Sequence, residues 1–202
     1  AQVVGANNVV VTAGHQFLDY DNNFENWKNC YFGHFDENGK YRRYSLNLKT
    51  LKLSRSRSAN EFRLDWAVVK TFSPAIGVQP YKFVDDMFEF RAGLGIKLIA
   101  RAHDNFMIYG NLLRILEEWT MRHIDFYNFE QFQHDCDPGK GSSGAGQFVV
   151  IDGELRLAAI NVGQIVDRDG MPFDGDRGHY NISTPVRDEF RDAIVKAVSS
   201  GE

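Results

Sequence analysis

Cysteine is nearly absent: the 202 residues hold two, Cys30 and Cys136. Two thiols are too few for a disulfide scaffold, and their spacing fits no zinc motif. They can pair in an oxidising compartment or stand as two buried thiols, so the compartment stays open. Proline is scarce too, with five residues in all. Two of them, Pro74 and Pro80, fall close together in Ser73–Pro80, which marks a linker between two halves of the chain. No apolar run approaches the length of a membrane span. No secretory signal is present, although the chain opens mid-pattern at Ala1-Gln2-Val3-Val4, so that absence says little. A basic excess is also missing: the net charge is −4, which argues against a dedicated nucleic-acid binder. Internal repeats and low-complexity segments are not found.

What is there fits an ordinary soluble globular protein, with 43% hydrophobic and 25% charged residues. The length allows one large domain or two small ones, with a proper core. Val3-Val4-Gly5, Ala6-Asn7-Asn8 and Val9-Val10-Val11-Thr12 read as strand, turn and strand. That second strand gives way at Ala13-Gly14-His15. Cys30–Phe35 is a short aromatic strand closed by the Asp36-Glu37-Asn38-Gly39 turn, and Tyr41–Leu53 alternates loosely, with Leu46, Leu48 and Leu51 as core candidates. Asp65 introduces a strand in which Trp66, Val68 and Val69 call for burial. A carboxylate there is costly to desolvate unless it is paired, so it is either an exposed turn residue or a partner for a histidine.

Gly95–Arg101 alternates as a strand, whereas Leu112–Leu116 suits strand or helix equally. Gln147–Ile151 and Leu155–Val162 predict a hairpin across Asp152-Gly153. Ser183-Thr184-Pro185 predicts the cap and first turn of a helix over about 184–199. Val186, Phe190, Ala193, Ile194, Ala197 and Val198 would form its apolar face. Asp167, Asp169, Gly170, Asp174 and Asp176 resemble a fragment of a calcium loop but lack its closing glutamate. Asn181-Ile182-Ser183 is a formal glycosylation sequon.

The stretch from His134 to Gln147 sets four glycines and a proline around Ser142 and Ser143. Glycines on both sides of a serine permit turns that a Cβ would forbid. Such a turn can expose a hydroxyl nucleophile beside free backbone N–H donors. Upstream, His15 ends one strand and Asp65 begins another. The chain order His, Asp, Ser is that of the chymotrypsin-type arrangement of nucleophile, base and orienting carboxylate.

Three segments carry a resemblance to the trypsin-like (chymotrypsin-fold) serine proteases. Val10-Val11-Thr12-Ala13-Gly14-His15 looks like the segment bearing the histidine of that family. Asp65-Trp66-Ala67-Val68-Val69 looks like its aspartate strand, and Gly141-Ser142-Ser143-Gly144-Ala145 like its nucleophile loop. The Cys136-Asp137-Pro138-Gly139 lead-in is similar to bacterial trypsin-like and V8-like members. The resemblance implies an all-β fold of two antiparallel β-barrels with a C-terminal helix. Residues 1–76 would form the first barrel, carrying His15 and Asp65, and 77–202 the second, carrying Ser143 and the helix. It implies a serine endopeptidase that acts on protein or peptide substrates through an acyl-enzyme, without cofactor or metal. His15 would be the general base, Asp65 its orienting carboxylate, and the N–H groups of Gly141 and Ser143 the oxyanion hole. The alternative is a catalytically silent fold of this type used as a binding or regulatory module.

Departures from the family pattern are informative. Gly14 replaces the usual alanine, Gln16 stands where many animal members carry a cysteine, and Gly146 replaces a proline. Ser142 occupies the place of an aspartate that pairs with a freshly cut N-terminus in digestive members, so no such activation switch is expected. Only 14 residues precede His15, so further strands would come from a removed or separate N-terminal segment, or the barrel is built differently. A regulatory domain outside the chain would also fit. Asp137 falls at the base of the family's primary pocket, where an acid favours Arg or Lys, but it reads equally as a turn-capping residue. Asn161 and Gly163 would line the same pocket. Glutamate-selective relatives have a histidine where Asn161 falls, which disfavours that selectivity. The resemblance tilts toward a bacterial, secreted or periplasmic protein over a cytoplasmic one.

Overall fold

Strands whose successive residues face opposite cores organise the chain. The computed structural model describes residues 1–18, 30–36, 38–54, 65–89, 95–100, 114–120, 123–125, 131–134, 142–164 and 181–200. Strands β1 (Gln2–Val3), β2 (Val9–Thr12), β3 (Tyr31–Phe35), β4 (Tyr41–Leu53) and β5 (Ala67–Thr71) form a curled antiparallel sheet in the order β1-β2-β5-β4-β3. Every residue of β2 and β5 is buried. The pleat divides them: Val9, Val11 and Val68 join the large core shared with the rest of the molecule. Val10, Ala67 and Val69 form a second cluster with Phe17, inside the curl of this sheet.

The loose alternation of β4 has a structural cause. Its pairing with β5 jumps from Asn47↔Lys70 to Lys52↔Val68, five steps on one strand against two on the other. The odd excess reverses the phase of the strand, so Leu46 and Leu53 outside the bulge and Leu48 and Leu51 within it all pack on the same inner cluster. At the β3–β4 turn, Asp36 Oδ1 accepts the backbone N–H groups of Asn38 and Lys40 at 3.0 and 2.9 Å, and Gly39 takes a φ of 73°.

Beyond Ser73–Pro80 come β6 (Lys82–Phe83), β7 (Gly95–Ala100), β8 (Arg114–Thr120), β9 (His123–Asp125), β10 (Gln131–His134), β11 (Gly146–Ile151), β12 (Glu154–Gln164) and β13 (Asn181–Pro185). They form an eight-stranded sheet in the order β8-β7-β11-β12-β13-β10-β9, and the short β6 pairs in parallel with β12. The Leu112–Leu116 ambiguity resolves as strand from Arg114 onward. The β11–β12 hairpin turns at Asp152 and Gly153, whose φ values of 53° and 77° give the two positive torsions of a type I′ turn.

The one α-helix among the described residues, α1, spans Asp188–Ser199 and starts later than the sequence predicts. Ser183-Thr184-Pro185 does not cap it. These residues complete β13, paired with Asn161, Ile160 and Ala159 of β12, and Ser183 and Thr184 are fully buried. Backbone pairing to a central strand outweighs a local capping pattern. Arg187 is the N-cap residue and makes no side-chain cap bond. Phe190 and Ile194 are buried, and Ala193, Ala197 and Val198 pack at the edge of the large core, as the apolar spacing requires. Burying a side chain such as Phe190 or Ile194 contributes roughly 1.5–3 kcal/mol. Asn181 of the sequon is also buried in β13. The calcium-loop fragment and Cys136 lie outside the described residues, while Cys30 is a free thiol raised above its ordinary pKa by burial.

Candidate active site

Where β2 ends, the chain tightens into a 3₁₀ turn over Gly14–Phe17 and presents His15. Asp65, just before β5, is brought beside it because β2 and β5 are neighbours, with Thr12 paired to Ala67. The Asp65 carboxylate then holds His15 twice. Its Oδ1 accepts the backbone N–H of His15 at 2.7 Å, and its Oδ2 meets ring Nδ1 at 2.5 Å. Asp65 is nearly buried, its side chain 6% exposed, while that of His15 is 27% exposed. A carboxylate can only accept, so this pairing puts a proton on Nδ1 and, in the neutral ring, leaves the lone pair on Nε2. Gly14 leaves the space that this approach needs. A Cβ there would lie 2.9 Å from the Trp66 carbonyl oxygen and 3.1 Å from Asp65 Oδ1.

Ser143 sits in a turn ahead of β11. The N–H of Ala145 donates to the Ser142 carbonyl at 2.8 Å, and Gly144 has a φ of 80°. Ser143 is not among the positive-φ residues, so the turn is type II with its glycine at the third position. The turn is pinned to β12 from both sides: Gly144 N–H donates to Asn161 O at 2.7 Å and Asn161 N–H to Ala145 O at 2.8 Å. Asn161 Nδ2 also donates to Ser142 Oγ at 3.0 Å, with both residues buried.

The two turns meet. A Cβ at residue 144 would fall 2.1 Å from Thr12 Oγ1 and 3.1 Å from the Ala13 nitrogen. Thr12 Oγ1 donates to Gln16 Oε1 at 3.1 Å, and Gln16 Nε2 donates to the Ser143 carbonyl at 2.9 Å. A cavity of about 1100 Å³ runs along this contact, with Thr12, Gln16 and Phe32 on one side and Ser142 and Ser143 on the other. His15 is thus paired with Asp65, and its own turn is hydrogen-bonded to that of Ser143. Asn161 and Gly163, expected at a pocket wall, do not line this cavity. Asn161 is buried against the serine turn, and Gly163 lies in β12 opposite Ile182. Asp137 and Gly141 lie outside the described residues.

Thr12 and Gln16 are site residues that the motif reading did not assign. Gln16 stood out only as a replacement for cysteine, and nothing local announces a contact across 127 residues. No group of three or more His, Cys, Asp or Glu side chains able to hold a metal ion occurs among the described residues. No described helix is long and apolar enough to cross a membrane.

No protein-family model and no curated sequence matches the chain. Solved structures do. A Glu endopeptidase, solved in complex with MPD, superposes with a TM-score of 0.64 at 16% identity, over 96% of this chain and 83% of its own. A thermostable serine protease, AL20, from an extremophilic microorganism gives 0.70 at 15% identity, over 98% of this chain and 89% of its own. The fold is therefore a chymotrypsin-like serine-protease fold: mostly β-strand, curled and antiparallel, with one C-terminal helix.

Proposed function

We propose that this chain is a serine endopeptidase and that its two sheets close as the two barrels expected over 1–76 and 77–202. Ser143 Oγ attacks the scissile carbonyl. His15 takes the hydroxyl proton at Nε2 and returns it to the leaving amine, and water then releases the acyl group by the reverse exchange. Asp65 keeps the proton on Nδ1 and stabilises the imidazolium that forms. The N–H groups of Gly141 and Ser143 bind the oxyanion, and losing one such donor typically costs about 3 kcal/mol of transition-state stabilisation. Asp137, Asn161 and Gly163 are assigned to a primary pocket apart from the cavity at the Gln16–Ser143 contact, and the substrate is a protein or peptide. The observation that carries this reading is the double grip of Asp65 on His15, in a turn hydrogen-bonded to that of Ser143.

The test is labelling with a fluorophosphonate probe followed by intact mass. A single adduct that is absent from Ser143→Ala is expected. Wild-type protein that stays unlabelled across neutral to alkaline pH, in the absence of any inhibitory segment, favours the silent module instead. Cleavage of a peptide library by the labelled-competent enzyme then reports the primary pocket, with an Arg or Lys preference assigning Asp137 to its base.

A further inference from the structure

Type I and type II turns differ by a flip of their central peptide, here the one joining Ser143 to Gly144. Glycine accepts φ of either sign, so residue 144 itself does not choose between them. The choice is made by what captures the two ends of that peptide. Its N–H is held by Asn161 O at 2.7 Å, and its carbonyl oxygen by Gln16 Nε2 at 2.9 Å. The Gln16 amide is itself oriented, because the Ser143 carbonyl can only accept and so takes Nε2, which leaves Oε1 to receive the Thr12 hydroxyl at 3.1 Å. With the amide turned over, Oε1 would oppose the Ser143 carbonyl oxygen and Nε2 would face Thr12.

We propose that Gln16 is a positioning residue, a latch that holds the Ser143–Gly144 peptide in its type II orientation and ties it to the turn bearing His15. This rests on the reading of Ser143 as nucleophile. Gln16 follows His15 within one 3₁₀ turn, so the latch fixes the serine backbone with reference to the base that must reach its hydroxyl. Flipping the peptide rotates the backbone on the C-terminal side of Ser143 and releases both ends at once. The element therefore has two discrete arrangements rather than a soft range.

Gln16→Met keeps the side-chain length and removes both polar contacts, and Gln16→Glu keeps an acceptor for Thr12 but sets oxygen against the Ser143 carbonyl. In both variants kcat is expected to fall about tenfold or more while KM stays within about twofold, a loss of alignment rather than of binding. Fluorophosphonate labelling should slow in parallel. Thr12→Val combined with Gln16→Met should cost no more than Gln16→Met alone, because the two act through one chain of contacts. Hydrogen exchange at the Gly144 amide, read by NMR, should quicken in both Gln16 variants, and this measurement is independent of turnover. An inactive wild type would overturn the protease reading while leaving the exchange test in force. Unchanged Gly144 exchange, a loss confined to KM, or additive effects of Thr12→Val and Gln16→Met would overturn the latch.

Discussion

Asp65 holds His15 by the backbone and by the ring with the two oxygens of one carboxylate. The backbone contact fixes where the histidine turn sits, and the ring contact fixes which nitrogen carries the proton. Asparagine separates the two effects. In Asp65→Asn the remaining oxygen can keep the backbone N–H, but the amide nitrogen then faces Nδ1 and moves the ring proton to Nε2. The expected result is a loss in kcat on the order of 10⁴-fold with an unchanged circular-dichroism spectrum. Asp65→Ala should lose the same activity and stability as well, which thermal denaturation would show.

Gly144 is constrained for two separate reasons, its φ of 80° and the Thr12 hydroxyl in the place of a Cβ. Gly144→Ala should destabilise the protein by at least about 1–2 kcal/mol from the torsion alone. The double variant Thr12→Ala/Gly144→Ala should recover the steric part and leave the torsional part. Urea denaturation of the two variants measures the difference, and equal stabilities would refute the steric share.

Gln147 is fully buried in β11, and neither its amide nitrogen nor its amide oxygen has a hydrogen-bond partner among the described residues. Leu98 and Ala159 flank it across the sheet. Leaving a buried polar group unsatisfied costs about 1–3 kcal/mol. Gln147→Met, similar in length and apolar, is therefore expected to raise Tm by roughly 2–12 °C for a chain of this size, as differential scanning fluorimetry would report. An unchanged or lower Tm would show that the amide does something the burial does not reveal.

The Asp36 carboxyl is held below its ordinary value of 3.8, chiefly by the Lys40 backbone N–H and further by Arg42 and the Asn38 N–H. A depressed folded value means stability that is fully present above the ordinary value and is lost as pH falls through the folded one. Asp36→Asn should be less stable than wild type near neutrality, with a gap that stays constant down to about pH 5 and closes at lower pH. Denaturant midpoints measured across that range give the answer. A gap that persists in strong acid would assign the effect to hydrogen-bond geometry instead of charge.

Much of the fold is legible in the sequence itself. Val9–Thr12, the strand after Asp65 and the Asp152-Gly153 hairpin were readable because period-two burial and turn chemistry are written locally. The helix start was not, because Ser183-Thr184-Pro185 satisfies a local capping pattern while its backbone belongs to a pairing with β12. The bulge of β4 was visible only as weak alternation, since its cause is the register against β5. The Asp65–His15 pairing could be suspected from residue types, but the Thr12–Gln16–Ser143 chain could not. Its three members are ordinary polar residues whose meaning comes from a long-range approach of two turns.

Trp66, the residue after Asp65, stacks on Phe190 of the helix, ring centroids 5.2 Å apart and planes within 11°. Nearby, Lys70 Nζ donates to the Ser200 carbonyl, 130 residues further along the chain. During synthesis the aspartate-bearing strand therefore leaves the ribosome long before the surface that covers it. The first sheet must wait, its outer apolar face exposed, until translation reaches the helix, and that interval is when this chain is most open to aggregation or to a chaperone.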